Sequence, residues 1–337
     1  MIRFGIAGFG LHAVRRLMPG FALAQNCKVV ALSRRDAKKA GEAAARFAIP
    51  HVFGTTEELC RCPEVDAVLV TTPNACHLRD VLTAIASGKA VLCEKPMGMD
   101  ADECRQMVDA ARHAGILLGV AQVFRFGEST ARFRARIAAG DIGRPVFARS
   151  EFSYPGLGHA RSWLYNRAIA GGGPIADVGV HCIDALRYIL QDEPRMVSAL
   201  GRSDEQSGDV EAAASLALEF QSGALATVLV STRAQYRTPL EIVGESGVLR
   251  ANDALNVERP VKVELWRDGQ CVSEDEVSNQ MAYALQVDSF SAALAGEAAF
   301  PAPGEEGWRN QVILDAAYRS MASSKTETIM AIENTAR

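Results

Sequence analysis

A chain of 337 residues, 48% hydrophobic and 23% charged, has the balance of a globular protein rather than a disordered or fibrous one. At roughly 150 residues per domain it divides into two. The net charge of −4, from 36 Lys and Arg against 40 Asp and Glu, leaves no chain-wide basic footprint for nucleic acid. No apolar run approaches the ~18 residues of a bilayer span, and the opening MIRFGIAGFG lacks the regions of a secretion signal. A cytoplasmic protein with no membrane partner is expected.

The elements follow in chain order. Ile2–Ala7 is an apolar run ending in glycine, and 11–24 carries helical apolar spacing. Residues 27–32 predict a strand, 36–47 an Ala/Lys/Glu-rich helix, 65–71 a buried strand and 75–87 a helix ended by Gly88. Ala90–Cys93 predicts a strand, 100–114 a helix stopped by Gly115, and 116–123 another strand. Continuous β-branched runs alternating with amphipathic helices imply strands buried on both faces, hence a doubly wound parallel α/β sheet of Rossmann type.

After residue 123 the rhythm changes. Helices are predicted over 129–139 and 174–190, then strands over 197–201, 211–220, 224–231, 240–243 and 261–267. Gln221-Ser222-Gly223 reads as a hairpin loop. Successive strands without helices between them imply an α+β half built on a mostly antiparallel, open sheet. Helices over 281–295 and 305–323 close the chain, and the two domains are expected at 1–122 and 123–337.

The eight cysteines stand at 27, 60, 62, 76, 93, 104, 182 and 271. None forms a C-x-x-C pair, and Cys60 and Cys62 have no second pair or histidine cluster to complete a metal site. They read as reduced thiols packed as small hydrophobes, and no metal is assigned.

Chemistry begins at Gly8-Phe9-Gly10-Leu11-His12-Ala13, a G-x-G-x-x-A turn lying directly between a strand and a helix. The first glycine permits the tight turn, the second lets backbone approach a pyrophosphate, and the small last residue allows close packing. N–H groups at the helix start then face the anion. His12 reads simply as part of that helix. An acid at the end of the second strand would bind the ribose hydroxyls of NAD. Instead Leu32-Ser33-Arg34-Arg35 stands there, and Asp36 reads as the next helix start. Guanidinium forks match a 2′-phosphate, so NADP is the expected cofactor and NAD the alternative. The plainer reading of Arg34 and Arg35 is two solvated loop charges.

Three further segments carry a family resemblance. Thr71-Thr72-Pro73-Asn74, with His77, follows the third strand, and Cys93-Glu94-Lys95-Pro96 follows the fourth. Gly171-Gly172-Gly173-Pro174-Ile175-Ala176-Asp177-Val178-Gly179-Val180-His181 opens a helix in the second half. With Arg125-Phe126 and 140–145 (GDIGRP), this set resembles the Gfo/Idh/MocA oxidoreductases (glucose–fructose oxidoreductase, inositol dehydrogenase, rhizopine catabolism) over about residues 2 to 250. The turn and strand end already give Gly8, Phe9, Gly10, Leu11, Ser33, Arg34 and Arg35 as cofactor contacts. The resemblance implies Thr71, Thr72, Pro73, Asn74, His77, Glu94, Lys95 and Trp163 as further ones, and Gln122 completes the expected set. It implies a catalytic set of Lys95, Asp177 and His181, and a homodimer or homotetramer formed through the C-terminal sheet. Family members with an arginine directly after the tryptophan include 1,5-anhydrofructose reductase; here Leu164 stands at that position, with Arg161 nearby.

Elementary chemistry agrees with that catalytic set. Hydride exchange with a secondary alcohol requires a proton to leave or join the oxygen, and histidine suits that role near neutral pH. Asp177, four residues before His181 on one helix face, would orient the imidazole, with Asp184 a second orienting group one turn on. Lys95 would anchor the substrate oxygen as an electrophile. Tyr154, Tyr165, Arg125, Asn166, Arg167 and the loop histidine His159 are further candidates around a polar substrate. The blander reading of Asp177 and His181 is a helix-face hydrogen bond or half of a metal site. The expected function is an NADP-dependent oxidoreductase of a sugar, polyol or related small molecule. The alternatives are a redox-neutral NAD-dependent glycosidase-like enzyme and a non-catalytic nucleotide-sensing protein.

Overall fold

The computed structural model describes residues 1–158 and 161–332. His159 lies outside the described residues. The chain forms two compact units, one of Met1–Val123 with Met281–Trp308, the other of Phe124–Gln280 with the chain from Arg309 on. The expectation that everything beyond residue 122 belongs to one domain therefore needs correction for 281–308. Phe290, on the helix Ala282–Leu294, explains why: its ring packs 6.0 Å from Phe4 and 5.2 Å from Phe300. Gly20 also lies so close to Tyr283 that an added Cβ would come within 2.6 Å of it.

The first unit holds six parallel strands: β1 Ile2–Ala7, β2 Cys27–Ser33, β3 His51–Phe53, β4 Ala67–Val70, β5 Ala90–Cys93 and β6 Leu118–Val120. Their order is β3-β2-β1-β4-β5-β6, which reverses between β1 and β4. In open α/β sheets a ligand crevice forms at the carboxyl ends of the strands beside such a reversal. Strands β4 and β5 are buried at every residue, as their unbroken apolar runs require. Local chemistry fixes the helix starts. Asp36 accepts from the Lys39 N–H, Asp100 from Glu103, and Thr55 and Glu58 form a reciprocal capping box.

The second unit is built on nine strands: β7 Pro145–Ser153, β8 Pro194–Arg202, β9 Ala213–Phe220, β10 Leu225–Ser231, β11 Leu240–Gly244, β12 Val248–Ala251, β13 Pro260–Arg267, β14 Gln270–Ser278 and β15 Glu327–Thr328. Their order is β14-β13-β12-β11-β7-β10-β9-β8-β15, with β7 and β10 running parallel and the other described pairs antiparallel. Gly223, at φ +88°, turns the predicted hairpin between β9 and β10. Along β7, Ala148 and Ser150 are buried while Phe147 and Arg149 are exposed, so one face is covered and the other open. Among the described residues no helix is long and apolar enough to cross a membrane.

Candidate active site

The glycine turn forms as its sequence demands. Gly8 sits at φ +79°, and a Cβ on it would come within 2.7 Å of the Thr72 backbone nitrogen, so only glycine lets the two loops meet. The N–H groups of Gly8 and Phe9 both donate to the Ser33 carbonyl, which brings the end of β2 against the turn. Phe9 turns its ring into the core, 6.0 Å from Phe47. Val14 N–H donates to Gly10 O, so the preceding N–H groups stand at the helix start, where intrahelical partners end. Gly10 completes a cradle, because an added Cβ would meet nothing closer than Gly8 O at 3.6 Å.

Arg34 is fastened to this turn. Its guanidinium donates to the Phe9 carbonyl at 3.2 Å, and its backbone N–H donates to Phe53 O. Thr71 and Thr72 spend their hydroxyls internally, Thr71 on the carbonyls of Ala7 and Gly8, Thr72 on the buried Asp80 at 2.7 Å. What this loop offers a cofactor is therefore mainly backbone and Pro73.

His77 requires a correction. It is 1% exposed, and its ring nitrogens face the carbonyls of Pro96 at 3.0 Å and Thr72 at 2.9 Å. It braces the two loops against each other and has no ring nitrogen left for a cofactor. Burial holds its pKa below the ordinary histidine value and outweighs the two carbonyls, which pull upward.

Gln122, just past β6, is 1% exposed, and neither its amide nitrogen nor its amide oxygen has a protein partner. A buried amide left unsatisfied is costly unless a ligand completes it. With the Gly10 cradle, the helix start and Arg34, it makes this strand end a fit for a dinucleotide. Glu94, 8% exposed, accepts from the Lys95 backbone N–H at 3.2 Å, and its Oε1 lies 2.8 Å from the His12 Nε2.

In the second unit the chain winds widely over Ile175–Gly179, with Val180 N–H bonded back to Ile175 O, before the α-helix Val180–Leu190. Such π-turns recur at functional sites. They place Asp177 and His181 at 9% and 8% exposure. The His181 ring stands edge-on to Phe124 at 5.0 Å and 87°, and stacks on Phe152 at 6.0 Å and 27°. Asp177 accepts from the Tyr154 hydroxyl at 2.6 Å. Burial, with the Asp177 charge second, pushes the Tyr154 phenol far above its ordinary range, so Tyr154 remains a donor.

Two of the three glycines in the run are tightly packed. A Cβ on Gly172 would fall 1.7 Å from the Tyr318 hydroxyl, and one on Gly173 would fall 2.1 Å from the Glu211 carbonyl. The buried Glu211 carboxylate accepts from Gly173 N–H, Ile175 N–H and the Tyr318 hydroxyl. It caps the helix carrying Asp177 from 36 residues away. Nothing in the local sequence signals Glu211 or Tyr318 for this role.

Other candidates take structural places. Asp184 does not orient His181. It is locked to Arg125 at 2.6 Å and accepts from Asn310, and all three are buried. Asn166 caps the short helix Arg167–Ala170, Arg167 lies over the Tyr318 ring, and Tyr165 donates to Gly156 O. Trp163 lies half-buried in the second unit on the turn Ser162–Tyr165. Burial raises the thiols of Cys27, Cys60 and Cys182 to about 12, which leaves them inert. Among the described residues no three His, Cys, Asp or Glu side chains gather as metal ligands.

Comparison with known proteins agrees with this geometry. Residues 2–122 match a family described as an oxidoreductase family with an NAD-binding Rossmann fold, and residues 130–250 match the GFO/IDH/MocA C-terminal domain. The chain is 33% identical over 309 residues to 1,5-anhydro-D-fructose reductase of Ensifer adhaerens, covering 91% of this chain and 92% of that one. It is 30% identical over 319 residues to D-xylose 1-dehydrogenase (NADP(+)) 2 of Haloferax volcanii, covering 94% and 96%. Levoglucosan dehydrogenase in complex with NADH shares the fold, with a TM-score of 0.86 at 21% identity over 98% of this chain and 100% of that one. With both halves matched in order, this chain belongs to the Gfo/Idh/MocA family of NAD(P)-dependent oxidoreductases.

Proposed function

We propose that the protein interconverts a secondary alcohol and a carbonyl on a sugar, polyol or similar polar molecule, with NADP preferred over NAD. The observation that carries the cofactor preference is Arg34, bonded to the Phe9 carbonyl of the glycine turn, with Arg35 beside it and no acid at the end of β2. An unphosphorylated ribose offers little to a guanidinium fork. Relatives named as sugar reductases and dehydrogenases support the substrate class. The substrate of the anhydrofructose reductase is not carried over, because the buried Leu164 replaces the arginine that follows the tryptophan in such members.

In this reading His181 exchanges the substrate proton, Asp177 orients its imidazole, and Lys95 donates to the substrate oxygen. A bound nicotinamide would supply or accept the hydride. Phe124, edge-on, and Phe152, stacked, pack against the His181 ring, which is 8% exposed. We place the protein in the cytoplasm as a homodimer or homotetramer built through the open sheet face.

A panel of sugars and polyols assayed with NADPH and NADH, and with their oxidised forms, tests the reading. We expect turnover with the phosphorylated cofactor at the higher kcat/KM. In His181→Ala, kcat should fall about 10²- to 10⁴-fold while NADPH affinity is retained. Equal NADH and NADPH affinities would refute the arginine argument. Turnover of a glycoside without added cofactor would replace the net redox reaction with an internal one.

A further inference from the structure

His12, on the helix that the glycine turn opens, reaches across to the Glu94–Lys95 loop, and the sequence alone gives it no task. Its Nε2 lies 2.8 Å from Glu94 Oε1. The other carboxylate oxygen, Oε2, accepts from the Lys95 backbone N–H at 3.2 Å. One oxygen of Glu94 is thus held by the N–H of its own loop and the other faces His12 from 82 residues away, two contacts that together fix the carboxylate plane. The His12 ring is itself held edge-on to Tyr283 at 6.1 Å and 62°, and Tyr283 is pressed against Gly20 of the helix that His12 opens. At 29% side-chain exposure for His12 and 11% for Glu94, the pair is partly shielded, where a charge-assisted hydrogen bond outweighs one in open water.

We infer that His12 is a positioning residue for cofactor binding: by donating Nε2–H to Glu94 it sets the Glu94–Lys95 loop against the glycine turn, at the strand ends that take the dinucleotide. The inference rests on the reading that these strand ends bind a nicotinamide dinucleotide. His12 acts through Glu94 and touches no reacting atom. Its neutral tautomer must then carry the proton on Nε2, since an ionised Glu94 can only accept.

The test compares NADPH dissociation constants, measured by fluorescence titration without substrate, for the full-length protein and for His12→Ala, His12→Gln, Glu94→Gln and the His12→Ala/Glu94→Gln double variant. Thermal midpoints serve as the folding control. His12→Ala should weaken NADPH binding about ten- to a hundredfold, the worth of one hydrogen bond to a charged group. His12→Gln, whose amide N–H stands in for Nε2–H, should recover to within about threefold. The double variant should lose no more than the larger single loss. Unchanged affinity in His12→Ala, equal loss in the Ala and Gln variants, or fully additive losses would each overturn the inference. If His12→Ala does not fold, His12→Asn takes its place, because its amide is too short to reach Glu94. Failure of the unmutated protein to bind either dinucleotide would instead strike the cofactor reading itself.

Discussion

One hydroxyl, on Tyr154, separates orientation from proton transfer at the candidate active site. Its 2.6 Å bond is a donor to an Asp177 that is only 9% exposed, so removing it leaves a poorly solvated carboxylate with one hydrogen bond fewer. Tyr154→Phe should lower kcat about tenfold, corresponding to ~1.5 kcal/mol for a bond to a charged acceptor, while the NADPH dissociation constant stays unchanged. Steady-state rates alongside equilibrium titration distinguish that split, and an unaltered kcat would remove Tyr154 from the orienting set. At this scale the sequence was legible wherever chemistry is local. Gly8, Gly10 and Asp36 owe their places to turns and caps that span a few residues. The partners that tune the site are remote: Tyr154 lies 23 residues from Asp177, Glu211 lies 38 from Gly173, and His12 lies 82 from Glu94. No periodicity or spacing rule reports such pairs. Arg125 and Asp184 mislead for the same reason, since a charged residue near a site reads as a ligand until its buried partner is seen.

Among the elements, the helix that carries Asp177 and His181 depends on a cap supplied by another part of the chain. Glu211 satisfies the N–H groups of Gly173 and Ile175 and the hydroxyl of Tyr318, a role that local Ser, Thr or Asp residues usually fill. Glu211→Ala would leave three buried donors unpaired, and we expect a loss of about 2–4 kcal/mol, seen as a lower urea midpoint with a proportionate drop in kcat. A stability unchanged within ~0.5 kcal/mol would show that water replaces the cap. The strands legible in the sequence were those with apolar or clearly alternating faces. Strand β14, Gln270–Ser278, went unread because its acidic residues suit a sheet edge, where charge discourages further pairing. Strand β7 went unread because Arg149, Ser150 and Glu151 interrupt its alternation, although β7 carries the Phe152 that stacks on His181.

Considered as a whole molecule, the protein should respond to pH and to concentration in ways the two units make specific. Buried His77 binds a proton less readily in the folded chain than in the unfolded one, whose histidine value is 6.5. Its contribution to stability is therefore complete above that value and is lost as pH falls from it toward the lower folded value. The urea midpoint should drop between about pH 7.5 and 5.5, and His77→Gln, though less stable throughout, should show a shallower drop. Parallel slopes would assign the acid sensitivity elsewhere.

The open face of the second sheet makes the other demand. Alternation along β7 and β10 turns Ala148, Ser150, Ala226 and Val228 inward and leaves Phe147 53% and Leu225 48% exposed, with Leu200 on β8 at 76%. Large apolar side chains grouped on one face are costly in water and mark association surfaces. A second copy of the same face offers a matching apolar surface, and a two-fold pairing buries both at once. A stable dimer of this kind buries about 800 Å² on each partner, an area a nine-stranded sheet can supply. Light scattering at micromolar concentration should therefore report a dimer or tetramer. The double variant Phe147→Glu/Leu225→Glu, which places two charges on each copy of the face, should shift that mass toward the 36.2 kDa of one chain. A monomer before mutation would refute the assembly, and an oligomer that survives both charges would move the interface to another surface.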